Sequence, residues 1–397
     1  MRRALKYLGF AIALLFLVVG ILLIWNWSIV RGLAVTMNAS VTDVELFQPR
    51  HTVKGCPSSP LPRFTNDSPI STDVFNQMKA FSDSHGGVGL MVLVDGRVAG
   101  ESYREGADED TQTLSFSMHK SVLALAYGAA IEDGYIDSID DPIGKYIEEW
   151  SDDPRGQIPL RAFLTMSSGL EGMSQTEWRA MKFNFTDAVT DIALSLAQTR
   201  EPFTQFHYKN TDSQLAGVAL RRALTAQGGI DYDAYLSEKI WCPIGAKDAS
   251  LWLTNEGGDP RFYAFLDASL SDWARIGLLI MQDGKFGEAQ ILPSTWIEAI
   301  ETPSANNRRY GLQTWIGSPY EKERQYFPGG ELSVAQAEPF LAEDVIFFDG
   351  FGGQRVYIVQ SAGLVIVRSG EVSFDWDDGV LVNLALEGMA DSASPES

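Results

Sequence analysis

The sequence predicts an α+β fold, with one antiparallel sheet assembled from both ends of the chain, helices on its faces and an all-helical lobe inserted between the halves. Three observations predict it. A hairpin pattern lies near residue 90, a second lies near residue 360, and the stretch between about 121 and 250 reads as helices and loops. The 397 residues are 45% hydrophobic and 11% aromatic, ample for a large packed domain, and no internal repeat is visible. A net charge of -21 argues against general binding to nucleic-acid phosphates.

From the N-terminus, no charged residue occurs between Lys6 and Arg31. The apolar run from Tyr7 to Trp27 has the length of a membrane-spanning helix, and Trp25 and Trp27 suit an interfacial belt. Arg2, Arg3 and Lys6 precede it, which keeps the N-terminus cytoplasmic and exports the rest of the chain. A cleaved signal peptide is the rival reading, but the apolar core is long and lacks a clear Ala-x-Ala site after it. Residues 1–30 are therefore expected to be a cytoplasmic tip and anchor, and 31–70 a proline-containing stalk. Residues 71–390 would be the globular domain, with its helical lobe at about 121–250, and 391–397 a polar tail. The expected place is the inner membrane, single-pass, with the domain on the periplasmic side. Cys56 and Cys242 are the only cysteines; they could pair in an oxidising compartment, and free thiols are slightly favoured.

Ser71 or Thr72 caps a short helix with Val74, Phe75, Met78 and Phe81 on one face. Val88–Val94, Asp95-Gly96 and Arg97–Tyr103 then spell a hairpin with a type I′ turn. Helical periodicity runs through Ala188–Ala197 and Ser213–Leu224, and Ser271–Ile280 opens another capped, apolar helix. Arg355–Gln360 and Leu364–Arg368 flank the Ser361-Ala362-Gly363 turn, and Gly379–Met389 reads as a closing helix.

Chemistry concentrates at Ser117-Met118-His119-Lys120, in the first turn of a helix that is apolar almost all round. Positions i and i+3 share a helix face, so the Ser117 hydroxyl and Lys120 amine come within reach of each other. A serine needs a base to become a nucleophile, and desolvation beside a buried helix makes a neutral lysine accessible. Tyr208 and Asn210 can share that cavity, the tyrosine as a proton relay whose pKa a neighbouring cation lowers. Gly350-Phe351-Gly352-Gly353 lets backbone N–H groups approach a ligand closely, as an oxyanion hole requires. A histidine mechanism is disfavoured, because His119 stands two residues from Ser117 and points elsewhere.

These motifs, in this order, resemble the serine β-lactamase and penicillin-binding-protein superfamily over roughly residues 70–390. The branch it resembles holds class C β-lactamases, D-aminopeptidase and carboxypeptidase relatives, esterases and 6-aminohexanoate-dimer hydrolases. Ile139-Asp140-Asp141-Pro142, Leu164–Leu170 and Ile291–Trp296 are similar to family stretches as well. The resemblance implies a β-lactamase/transpeptidase-like fold and an acyl-enzyme on Ser117. In it Lys120 would be the general base or the electrostatic partner that activates Ser117, and Tyr208 the proton shuttle, while Asn210 would orient the substrate or Lys120. The N–H groups of Ser117 and of the Gly350–Gly353 loop would hold the oxyanion. Gly352-Gly353-Gln354 is closest to the aminohexanoate-dimer hydrolase and esterase branch. Where β-lactamases carry Lys-Thr-Gly this chain has Phe348-Asp349-Gly350, which removes a cation and a hydroxyl, substitutes an acid, and disfavours penicillin or D-Ala-D-Ala turnover. Lys209 is expected to face solvent. The expectation is a membrane-anchored serine hydrolase of small esters or amides, without cofactor, metal, nucleic acid or obligate protein partner. The alternative is a catalytically silent module that binds cell-wall peptides or a protein partner.

Overall fold

A computed structural model describes residues 20, 24 and 26–393, apart from 175, 328 and 331. Its centre is a six-stranded antiparallel sheet of β1 (Gly87–Val94), β2 (Arg97–Tyr103), β3 (Trp315–Ile316), β4 (Val345–Gly350), β5 (Gln354–Val359) and β6 (Leu364–Gly370), in the order β2-β1-β6-β5-β4-β3. The N-terminal hairpin pairs with the C-terminal one through β1 and β6, Val92 opposite Ile366, so both ends of the chain build the sheet. Asp95 and Gly96 both take positive φ, 48° and 73°, as the type I′ turn requires.

The strands alternate with period two. Met91, Leu93, Val356, Ile358, Val365 and Val367 face one side, against helix α4 (Leu270–Met281). Leu90, Val92, Tyr357, Val359 and Ile366 face the other, against α1 (Thr72–Ser84) and α5 (Val380–Ala393). Ser71 caps α1 by accepting from the Val74 N–H, and Ser269, two residues before the expected start, caps α4 through the Asp272 N–H. Among the described residues every named element between β2 and residue 249 is helical, including α2 (His119–Glu132) and α3 (Asn210–Gly228). α2 is buried from His119 to Ala130, as its all-round apolar pattern demands.

Three features differ from expectation. Arg50–Val53, in the stretch expected to lead in as a stalk, is a strand paired with Ala249–Trp252, which in turn pairs with Leu266–Asp267. That pairing carries Cys56 to Cys242, 186 residues away, with Cα atoms 4.5 Å apart, and the two form a disulfide rather than free thiols. The span expected over Tyr7–Trp27 lies mostly outside the described residues; among those described, no helix is long and apolar enough to cross a membrane.

Candidate active site

Ser117 sits in a 3-10 turn, Phe116–Met118, that runs directly into α2. Lys120, in the first turn of α2, lies three residues on and so shares a face with Ser117. Phe116 has φ +47°, a conformation costing a non-glycine residue about 1–3 kcal/mol and typical of functional sites. The surroundings hold it there. The Phe265 N–H donates to its carbonyl at 3.1 Å, and the two rings lie 5.4 Å apart.

Lys120 Nζ lies 2.8 Å from Ser117 Oγ, 2.9 Å from Asn210 Oδ1 and 2.7 Å from the Tyr263 carbonyl oxygen. Two of these neighbours only accept hydrogen bonds; the third can also donate. A neutral amine has two N–H donors and one lone pair, and this shell uses all three, with the lone pair left for the serine proton. Burial pushes the Lys120 pKa well below its ordinary value, opposed in part by the Asp349 carboxylate.

Asn210 opens α3, and Tyr208 stands just before it, its N–H donating to the Tyr326 carbonyl at 3.0 Å. Its ring packs on Tyr326, Trp315 and Tyr310, and its centroid is 4.9 Å from Lys120 Nζ. Burial raises the Tyr208 hydroxyl well above the usual phenol range, the Asp349 charge adds to this, and the Ser117 hydroxyl pulls the other way. The expected lowering by a cation is therefore outweighed: burial and the Asp349 charge prevail over the opposing pull of the Arg324 guanidinium. Tyr208 is held in its protonated form in this environment.

Between them, Lys209 does not face solvent. It is buried, with Nζ donating to Ser168 Oγ at 3.0 Å and the Leu170 carbonyl at 2.9 Å and pairing with Asp212 at 3.2 Å. As an extended residue before α3 it turns opposite to Tyr208, into the Leu164–Leu170 segment.

The Gly350–Gly353 loop joins β4 to β5 and packs on the nucleophile turn. A Cβ on Gly350 would stand 2.4 Å from the Ser115 carbonyl oxygen, so only glycine allows this approach. The Phe351 ring meets Phe116 at 5.9 Å. Arg368, buried on β6, donates to the carbonyls of Gly352 at 3.3 Å and Gly353 at 3.0 Å. It thus anchors both peptide oxygens of the loop to β6. The loop is close to Ser117, as its glycines suggested.

Asp349 is placed otherwise. Alternation along β4 turns it to the α5 side, where it accepts from Arg324 at 3.0 Å and Tyr326 at 2.6 Å and pairs with Arg355 at 2.6 Å. Both arginines also hold Asp378. It is buried and fully engaged with these partners. His119 also points away from Ser117: its Nδ1–H donates to the Ala264 carbonyl at 3.1 Å, and Nε2 lies 3.1 Å from the Tyr232 hydroxyl. In doing so it fixes the segment that brings Tyr263 to Lys120.

Sequence reasoning missed Tyr263, Tyr326, Arg324 and Arg368. Tyr263 contributes a backbone carbonyl, which leaves no signature in side chains. Arg368 and Arg355 could have been noticed, since two arginines end otherwise apolar strands.

The beta-lactamase family model matches residues 74–369. The 6-aminohexanoate-dimer hydrolase of Paenarthrobacter ureafaciens is 22% identical over 230 residues, 53% of this chain and 56% of that protein, so the match spans little more than half the relative's length. Among solved structures, a provisionally assigned 6-aminohexanoate-dimer hydrolase from Bacillus anthracis superposes with TM-score 0.68 at 20% identity, covering 88% of this chain and 92% of the other. A family VIII carboxylesterase gives TM-score 0.61 at 12% identity, covering 84% and 100%. At these identities the structural likeness is one of fold. With the family model matched over well more than half its length, the chain belongs to the beta-lactamase family.

Proposed function

We propose that this protein is a serine hydrolase that cleaves small esters or amides through an acyl-enzyme on Ser117. The observation that carries the reading is the Lys120 shell: an amine desolvated against its charged form, with two acceptors and one hydroxyl around it. Lys120 takes the Ser117 proton as Oγ attacks the carbonyl carbon. The N–H of Ser117 and one from the Gly350–Gly353 loop stabilise the oxyanion. Tyr208 donates its proton to the leaving oxygen or nitrogen as the C–O or C–N bond breaks, and the Lys120 ammonium proton restores the tyrosine. Water then attacks the acyl-enzyme, giving its proton to Lys120, and Ser117 Oγ leaves with that proton. A fold neighbour named as a family VIII carboxylesterase and a relative named as a 6-aminohexanoate-dimer hydrolase support a hydrolase of esters or amides, while other fold neighbours are named as beta-lactamases. The internal placement of Lys209 supports uncharged substrates, because its amine is paired with Asp212 rather than offered to a substrate carboxylate.

The test is intact mass of the full-length protein after a fluorophosphonate, beside Ser117→Ala. One adduct on the wild type and none on the variant is expected. No adduct on folded wild type overturns the hydrolase reading.

The same reading extends to place. The positive residues before the uncharged segment support an N-terminal anchor with the domain exported, and the Cys56–Cys242 disulfide suits an oxidising compartment. Alkylation of the protein in membranes from its native cells should label no thiol before reduction and two after it; two reactive thiols before reduction would contradict export.

A further inference from the structure

An acidic protein gains nothing by exposing phenylalanines, yet they are exposed beside the nucleophile. Phe374 is 77% exposed, Val372 39% and Phe351 37%. They form a row. The Phe116 ring, next in sequence to Ser117, meets Phe351 at 5.9 Å, and Phe351 meets Phe374 edge-on at 5.6 Å. Val372 closes on the loop from below, where a Cβ on Gly352 would be 2.5 Å from its Cα. Large apolar side chains left together in solvent mark a ligand surface when they adjoin a site.

Two further observations limit the occupant. Of the cations near the site, Lys209 pairs with Asp212, Arg324 and Arg355 pair with Asp349 and Asp378, and buried Arg368 is taken up by the carbonyls of Gly352, Gly353 and His85. A carboxylate on the substrate would find no free positive partner among them. The leaving group departs toward its proton donor, Tyr208, whose ring belongs to a separate cluster with Tyr310, Trp315 and Tyr326. The phenylalanine row is thereby left to the acyl part.

We propose that Phe116, Phe351 and Phe374 form the acyl subsite, and that its occupant is the aryl or bulky alkyl group of an uncharged ester or amide. This rests on the hydrolase reading of Ser117 and adds the substrate class. Ring-on-ring contact supplies selectivity beyond burial alone.

The test uses full-length protein and ethyl esters, so that the leaving group stays constant while the acyl group changes from acetyl to hexanoyl, phenylacetyl and the anionic hemisuccinyl. In the wild type, kcat/KM for phenylacetate should exceed that for acetate about 10-fold or more, with the hemisuccinate lowest. Phe374→Ser, at an exposed position where folding is not at stake, should reduce the phenylacetate-to-acetate ratio about 5-fold, and Phe374→Leu should restore part of it. An unchanged ratio in Phe374→Ser, or hemisuccinate turned over as well as hexanoate, overturns the proposal. A small fluorophosphonate separates the two levels: labelling of Ser117 with an unchanged ratio removes only the subsite, whereas no labelling and no turnover removes the subsite together with the hydrolase.

Discussion

Lys120 Nζ stands 2.7 Å from the Tyr263 carbonyl and 2.8 Å from Ser117 Oγ, so its strongest acceptor and its reaction partner lie on either side of one desolvated nitrogen. The depressed pKa means that the folded state binds a proton less readily than the unfolded chain. Stability from this group is thus greatest above the ordinary lysine pKa and is lost as pH falls through the folded value. Lys120→Met should abolish turnover, by at least about 10³-fold, while raising stability by about 1–2 kcal/mol at neutral pH. Urea denaturation and ester hydrolysis check the two halves. A variant both inactive and destabilised would mean that the lysine is charged and paired in the fold.

Tyr208 gives a prediction of a different shape. Because burial and Asp349 hold its phenol protonated, Tyr208→Phe removes a donor and leaves the ring packing on Trp315 and Tyr326. Loss of a general acid costs about 10²–10⁴ in kcat. The loss should be largest for alkyl esters and amides, whose leaving groups need the proton, and small for nitrophenyl esters, whose leaving group does not. An equal loss across that series would assign Tyr208 a positioning role only.

The legible part of the molecule was the local part. Asp95-Gly96 between two apolar runs specified a turn, and both residues take the positive φ it needs. Ser117 and Lys120 are three residues apart, and Tyr208 and Asn210 two, so their juxtaposition within each pair follows from backbone geometry. Lys209, Asp349 and the cysteines were misread because their surroundings are assembled from far away. Lys209 meets Ser168 and Leu170, Asp349 meets Arg324 from a separate short strand, and Cys56 reaches Cys242 only because Arg50–Val53 pairs with Ala249–Trp252. No periodicity announces such partners.

Asp349 is the sharpest of these cases. It bridges two buried arginines and a tyrosine, so Asp349→Asn leaves Arg324 and Arg355 with Asp378 as their shared carboxylate. Breaking a buried ion network costs about 3–5 kcal/mol, readable as a lower urea midpoint. Its charge also raises the Lys120 pKa, so removal should move the acid limb of the kcat/KM profile to lower pH. KM for uncharged esters should stay constant, since the side chain faces α5. A raised KM with no shift of the acid limb would put Asp349 in contact with substrate.

His119 predicts how the fold responds to acid. Desolvation lowers its pKa from 6.5 to about 4, opposed by the Ala264 and Arg261 carbonyls and assisted by Lys120. The unfolded chain therefore protonates this ring first as pH drops. Stability should be level above about pH 6.5 and should decline between there and pH 4, by about 3 kcal/mol from this residue. His207 is depressed to about the same value, chiefly by burial, and contributes a parallel decline. Tyr232, the ring's other partner, stays protonated throughout, because burial raises its hydroxyl far above neutrality. His119→Gln keeps a side-chain amide near the Ala264 carbonyl and removes the titration. Its stability should be lower at pH 7 but fall less steeply towards pH 4, so the wild-type and variant curves converge in acid. Parallel curves from pH 7 to pH 4 would mean that the folded and unfolded chains bind the His119 proton equally, with no depression of its pKa by the fold.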